Sequence, residues 1–251
     1  MRYVTSTLML GVLLASSSCG LGGPKADGSG TIECTQVEVA PLVAGRIAEL
    51  LVEEGGVVTQ GQMLARLDIR DYELRRDEAR AAARRAALEY ERIKRLYESQ
   101  TVSVQDRDDA EAAAEQTAVR LAQLEKAVAD GTVVAPLAGT VTAKVREAGE
   151  YVNAGLPLVT LSRLDEVWLA LYIPEDRLAR VKLGAAARVK LDGDPADYRG
   201  TITYVAPEAE FTPRNAQTPD ERAKLVYRVK VTLPNPDGVF KPGLPADGYL
   251  E

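Results

Sequence analysis

VAPLVAGRIAELLVEEGGVVTQGQMLARL, residues 39–67, returns later in the chain as VAPLAGTVTAKVREAGEYVNAGLPLVTL, residues 134–161. Dropping one residue after the shared VAPL aligns the two stretches to their ends. Gly45 then falls on Gly139, Ile47 on Val141, Gly55 on Gly149, Val58 on Val152 and Gly61 on Gly155. Leu64 and Leu67 fall on Leu158 and Leu161. Each copy is a series of short apolar strands broken by glycine turns, and each is too small to bury a core alone. The copies must therefore pack on one another, and the segment between them must leave and return to one place. That geometry predicts a rod on a β base, which points to reach rather than catalysis.

The rod is helical in its composition. From Ile69 to Glu98 the chain is rich in Ala, Arg and Glu, with no Gly or Pro to interrupt a helix. Ala79, Ala83, Ala86, Tyr90, Ile93 and Tyr97 recur at spacings of four and three. Ala110, Ala114, Thr117, Leu121, Leu124 and Val128 repeat the rhythm between Ser103 and Asp130. Alternating three and four is a coiled-coil seam, and small residues along it let two helices approach closely. Ser103 is placed as the N-cap of the second helix, with Asp106 at the capping-box position, and Gly131 stops that helix. Each helix would be roughly 40 Å long. Arg75, Arg76, Arg84 and Arg85 read as a solvated outer face.

The length suits two or three small domains. A formal net charge of -6 argues against a nucleic-acid binder, which would carry a basic stripe. Beyond the N-terminus no stretch is long and apolar enough to span a bilayer. Met1-Arg2, the apolar run Val4 to Ala15, and Ser16 to Ser18 before Cys19 fit a bacterial secretory signal over residues 1–19. Ending in a cysteine, it resembles a lipoprotein signal, in which Cys19 is acylated and becomes the first mature residue. Residues 20–30, GLGGPKADGSG, read as a flexible tether. Cys34 is then left without a disulfide partner and is expected as a small, partly buried strand residue.

After Leu164 the pattern is one of strands. Val167 to Ile173 is an apolar run ended by Pro174, and Ala187 to Leu191 meets the turn Asp192-Gly193-Asp194-Pro195. Leu225 to Leu233 alternates cleanly and ends at Asn235-Pro236-Asp237-Gly238, a strong turn signal. Glu175 to Val181 is expected as one short helix. Short strands at this spacing predict a small closed barrel. The fold class expected is mostly β with an inserted α-helical hairpin.

The split half-motif with VAPLAGTV, the inserted hairpin and VWLALYIPE at the start of the barrel together resemble a periplasmic adaptor, or membrane fusion protein, of the HlyD type. The resemblance covers Thr31 to Glu251. FTPRNAQTPDERAKLVYRVKVTLPNPDGVFKPGLPADG further resembles adaptors that partner ABC-2 type exporters. The family implies a lipoyl-like (β-hammerhead) domain over 31–68 plus 131–164, a coiled-coil hairpin over 69–130, and a β-barrel over 165–251. The membrane-proximal domain common in the family is expected to be reduced or absent. It also implies side-by-side packing into a ring, commonly a hexamer. Such rings link an inner-membrane pump, here of ABC type rather than RND or major-facilitator type, to a TolC-like outer-membrane channel. The setting implied is the periplasm of a Gram-negative bacterium, with the lipid anchor in the inner membrane. Adaptors that dock on TolC-like channels show an Arg, a Leu four residues later and a Ser seven after that. RIKRLYESQTVS places Arg92, Leu96 and Ser103 at that spacing across the predicted turn. Leu96 would fill an apolar notch, and Arg92 and Ser103 would bond exposed backbone or carboxylate groups. The competing structural reading gives Leu96 a packing job and Ser103 only a cap. The modular layout makes the Leu164–Val167 connection the expected flexing joint.

Catalytic readings find little to stand on. The chain has no His, which removes imidazole chemistry and mixed His/Cys zinc sites. No Gly-rich phosphate loop and no isolated carboxylate pair stands out, so no cofactor, metal or catalytic residue is expected. A lipoate or biotin carrier would need its modified Lys on the turn that joins the halves, and here the whole hairpin replaces that turn. A purely structural periplasmic scaffold is the other alternative, and it predicts that the tip residues are dispensable.

Overall fold

The structure, a computed structural model, describes residues 26–211 and 225–251. Residues 1–25, on which the expected signal segment, Cys19 and the start of the expected tether fall, and residues 212–224 lie outside the described residues. Strand β1 (Gly28–Val39) leads into β2 (Gly45–Leu50), β3 (Val57–Val58) and β4 (Met63–Asp68). Helices α1 (Arg70–Glu98) and α2 (Val104–Ala129) follow. Then come β5 (Thr132–Val134), β6 (Gly139–Lys144), β7 (Tyr151–Val152) and the long β8 (Val159–Pro174). A 3-10 helix over Glu175–Arg180 precedes β9 (Ala186–Leu191), β10 (Tyr198–Val205) and β11 (Glu210–Phe211). Strands β12 (Leu225–Pro234) and β13 (Pro245–Leu250) complete the chain.

The two sequence copies interleave. In the first sheet β3 of the first copy pairs with β6 of the second, and in the other sheet β2 pairs with β7. Equivalent residues make equivalent bonds across the interface: Gly55 N donates to Val141 O, and Gly149 N to Ile47 O, both at 2.8 Å. The glycines at these turns are required by the backbone, with φ of 82° at Gly55, 81° at Gly61, 93° at Gly149 and 83° at Gly155. Ile47 and Val141, Val58 and Val152, Leu64 and Leu158, and Leu67 and Leu161 all lie in one shared core. Burying each such side chain is worth roughly 2 kcal/mol, and neither copy finds that burial alone.

The barrel closes through six strands, in the order β12-β10-β9-β13-β1-β8, with β8 returning to β12. Its interior holds Ile32, Leu169, Leu171, Ile173, Val189, Val229 and Val231. One of these strands comes from the other end of the chain. Gly28 to Thr31 of β1 pairs with β13, and Ser29 to Cys34 pairs with β8. The barrel is therefore not confined to residues 165–251, the lipoyl-like part does not begin at 31, and the tether does not extend to 30. The strands after Leu164 leave β8 and β13 as open edges, and β1 fills the gap between them. Gly28 and Gly30, which read as linker, serve a close approach: a Cβ on Gly30 would sit 1.9 Å from the Ala170 carbonyl oxygen. Gly30→Val is expected to destabilise the fold by about 2 kcal/mol, seen as a lower thermal midpoint, whereas a tether glycine would tolerate the change. Asp27 fastens the entry point, accepting from Arg180 at 2.7 Å and from Leu250 N at 2.9 Å. Cys34 is buried in β1 with a free thiol, and burial pushes that thiol's pKa up.

Strands β1 and β8 run through both units without a break. The joint expected at Leu164–Val167 is not a loose connection but a bulge within β8. Pairing with β1 jumps there from Cys34–Val167 to Thr35–Arg163.

The hairpin rises from neighbouring strands. Arg66 of β4 pairs with Thr132 of β5, and Leu67 N donates to Gly131 O at 2.9 Å. Ala79 and Leu124 are buried at its base, and the other seam positions from Ala83 to Ile93 and from Ala110 to Val128 are half-buried. Arg80 to Glu125 at 3.1 Å and Tyr90 to Glu111 at 3.1 Å tie the two helices along their length. Tyr97 departs from the seam pattern. It lies where α2 has only its first turn, so 36% of it stays exposed, with the Arg107 guanidinium 5.0 Å from its ring centroid.

Candidate functional site at the hairpin tip

The far end of the hairpin is built by two caps. At the end of α1, Thr101 N donates to Leu96 O and Gln100 N to Tyr97 O, each at 2.8 Å, while Gln100 takes φ 59°. This is a Schellman closure with glutamine where glycine is usual, at a cost of order 1 kcal/mol. Ser99 Oγ adds a bond to the Leu96 carbonyl at 2.9 Å. At the start of α2, Ser103 is the N-cap. Its Oγ accepts from Asp106 N at 3.1 Å and donates to Asp106 Oδ2 at 2.6 Å, while Ser103 N donates to the same carboxylate at 2.9 Å. The Ser103 side-chain and backbone hydrogen bonds hold the Asp106 carboxyl below its ordinary pKa. A carboxylate depressed on folding contributes its stabilisation above its unfolded pKa and loses it as pH falls through the folded value. The cap therefore stands at neutral pH and loosens only in acid.

Arg92 and Leu96 lie on the last two turns of α1, and the turn brings Ser103 to the same end of the rod. Arg92 is exposed and paired with Glu89 at 2.6 Å. An exposed i,i+3 pair of this kind contributes little to stability, so the guanidinium is free to change partner. Leu96 is half-buried, and the Ser103 hydroxyl hydrogen is committed to Asp106. Two features of the tip escaped the sequence reading: the left-handed Gln100 and the Tyr97–Arg107 stack. Gln carries no turn signal, and the stack depends on how the two helices meet.

A second pair of stripes lies on the outer sides of the hairpin. Leu74, Ala81 and Leu88 recur every seventh residue on α1 and are exposed, Leu74 at 70% and Leu88 at 63%. On α2, Asp108, Ala112, Glu115, Val119, Ala122 and Lys126 alternate by four and three and are also exposed. The α1 stripe borders a shallow groove lined by Arg80, Arg84, Arg85 and Arg92 together with Asp77 and Glu89, whereas Asp108, Glu115 and Lys126 lie on the α2 stripe. Arg84, Arg85 and Glu115 form no ion pair among the described residues. Among those residues no group of three metal-ligating side chains comes together, and no helix is long and apolar enough to cross a membrane.

A hybrid of two interleaved β half-motifs, split by a helical hairpin and continued by a closed barrel, defines a modular protein whose most distant surface is a helix turn. Residues 35–161 match the barrel-sandwich hybrid domain of RND membrane fusion proteins, and residues 166–251 match the CusB-like β-barrel domain. The chain belongs to the membrane fusion protein family. A UPF0194 membrane protein of Citrobacter koseri is 31% identical, with 86% of each chain covered. Two solved structures share the fold. A MacA–MexA chimera carrying the Pseudomonas aeruginosa MexA α-hairpin has a TM-score of 0.76 at 23% identity, covering 90% of this chain and 79% of its own. The membrane fusion protein Spr0693 of Streptococcus pneumoniae R6 has a TM-score of 0.70 at 21% identity, covering 89% and 97%.

Proposed function

We propose that this chain is the periplasmic adaptor of a multi-component export system, linking an inner-membrane exporter to a TolC-like outer-membrane channel. The observation that carries this reading is the hairpin of helices roughly 40 Å long, standing on a membrane-fusion-type hybrid domain with Arg92, Leu96 and Ser103 at its far turn. The adaptor is not an enzyme. It holds the conduit together, and the exporter supplies the energy. Acylated Cys19 anchors it to the inner membrane, the barrel faces the pump, and the tip meets the channel. The FTPRNAQTPDERAKLVYRVKVTLPNPDGVFKPGLPADG resemblance favours an ABC-type pump. The matched domain descriptions name RND systems, which makes an RND pump the second reading, and identifying the co-purified pump decides between them.

The test is in-cell photocrosslinking from a probe amino acid at Leu96, with mass spectrometry of what is captured. Capture of an outer-membrane channel supports the bridge. Capture of its own subunits alone, in cells where the pump works, favours the scaffold reading instead.

Ring formation, with six subunits as the family resemblance implies, finds support in the outer stripes. Arg84 and Arg85 beside the α1 stripe of one copy complement Glu115 on the α2 stripe of the next, around the exposed Leu88 and Val119. Screening shortens the reach of such exposed charges to about 3 Å at 1 M salt. Sedimentation is therefore expected to show self-association weakening as salt rises, and Arg84→Glu with Arg85→Glu should weaken it at low salt. Association that is indifferent to both changes would remove the stripes from the interface.

A further inference from the structure

The junction between the hybrid domain and the barrel is a bulge held by one buried amide. Where β8 passes from one unit to the other, Leu164, Asp165 and Glu166 have no partner on β1. Asn235, the first residue after β12, is only 4% exposed and lies against that bulge. Its backbone N–H donates to Asp165 O at 2.8 Å, and its side-chain Nδ2 donates to Leu164 O at 2.7 Å. The other amide hydrogen goes to Phe240 O at 2.9 Å, and Oδ1 accepts from Phe240 N at 3.0 Å. Phe240 is itself fixed in the barrel core, edge-on to Tyr198 with ring centroids 4.7 Å apart. One side chain thus spends both donors and its acceptor on joining the bulge to the barrel rim.

A bulge supplies an extra length of strand and a bend, and the angle of that bend is free unless something holds the unpaired carbonyls. Glu166 also pairs with Pro234 of β12, and Leu164 packs against the barrel core. Apart from Asn235, the Asp165 crest of the bulge is therefore braced by Arg163, paired with Asp165 and Glu166 at 3.7 Å each and nearly half exposed. Such pairs hold little. A buried amide with every group satisfied holds firmly, because breaking it leaves polar atoms without water or partner.

We infer that Asn235 is a latch: it sets the angle between the barrel and the rest of the molecule, and the Leu164–Glu166 bulge is the hinge it locks. Asn235 acts through the backbone it positions. If the chain works as an adaptor, as proposed above, the latch governs how barrel movement at the pump reaches the hairpin. That consequence rests on the adaptor reading, whereas the latch itself does not.

Spin labels on Ala148→Cys in the hybrid domain and Lys190→Cys on the barrel, both exposed positions, report the angle as a distance distribution. The unmodified Asn235 background should give one narrow distribution. Asn235→Ala, and Asn235→Asp, which keeps the size and the acceptor but loses both donors, should roughly double its width while circular dichroism stays native. An unchanged distribution in folded variants overturns the latch. So does loss of the barrel fold in both variants, since that would make Asn235 a structural keystone rather than a control on the angle. Loss of export together with an unchanged distribution would leave the adaptor reading standing and reject the latch.

Discussion

Arg92→Asp combined with Leu96→Ser is expected to reduce export to the level of a strain lacking the protein, with the β units still folded. Arg92 gives up only an exposed pair with Glu89, so its loss removes little stability. The reversed charge adds a carboxylate next to Glu89 and Glu91, at a cost of a few tenths of a kcal/mol. Leu96 is half-buried at the hairpin end, well away from the core clusters of both β units. Trimming it is expected to loosen the last turn by about 1 kcal/mol, which frays the tip without unfolding the rod. At a docking surface the same two changes remove an apolar anchor and reverse a charge, a combination worth several kcal/mol when the contact is desolvated. The readouts are the phenotype of the deletion strain, complemented with the variant, and channel capture by the Leu96 region. A stably expressed double variant that restores normal export would refute docking through these residues. Ser103→Ala separates the remaining alternative, because it removes the cap to Asp106 as well as any channel contact. If its export defect disappears when helix capping is restored by Asp at position 103, the cap was the function.

Much of the fold was legible because it is written twice. The alignment of Gly55 with Gly149 and of Ile47 with Val141 amounts to a statement about mutual bonds, and the reciprocal hydrogen bonds between those residues are its physical content. The hairpin was legible because uninterrupted helix formers carry a three-and-four seam, and the cap at Ser103 because serine and aspartate three residues apart have a local geometry. What local signals miss is a strand borrowed across the chain. Residues 28–34 read as linker and small strand because two glycines open the stretch, and only the Tyr172 and Ala170 carbonyls beside them reveal why glycine is needed. The latch escaped for the same reason. Asn235-Pro236-Asp237-Gly238 announces a turn, and nothing local announces that its first amide reaches Leu164, 71 positions earlier. At the tip, the spacing of Arg92, Leu96 and Ser103 was visible, but the commitment of the Ser103 hydroxyl to Asp106 was not.

Excising the hairpin is expected to leave a folded protein that exports nothing. Its two ends already meet, since β4 and β5 pair at Arg66 and Thr132, and a tight turn of about two to five residues can replace residues 70–129. The helices bury only Ala79 and Leu124, so the cores of the hybrid domain and the barrel lose almost nothing. Helical signal in circular dichroism should fall by nearly all of its value, while the thermal midpoint of the β units stays close to that of the full chain. The functional loss, by contrast, should be complete. Without the rod the tip residues are gone, and the roughly 40 Å of reach from two helices lying side by side cannot be recovered by any tether. A folded, membrane-bound variant that still exports would show that the β units alone do the work and that the hairpin is an accessory. A variant that fails to fold would show that the two copies need the helices to find one another. The present geometry argues against this, because the bonds that join the copies run directly between Gly55, Val141, Gly149 and Ile47 and pass through no residue of the hairpin.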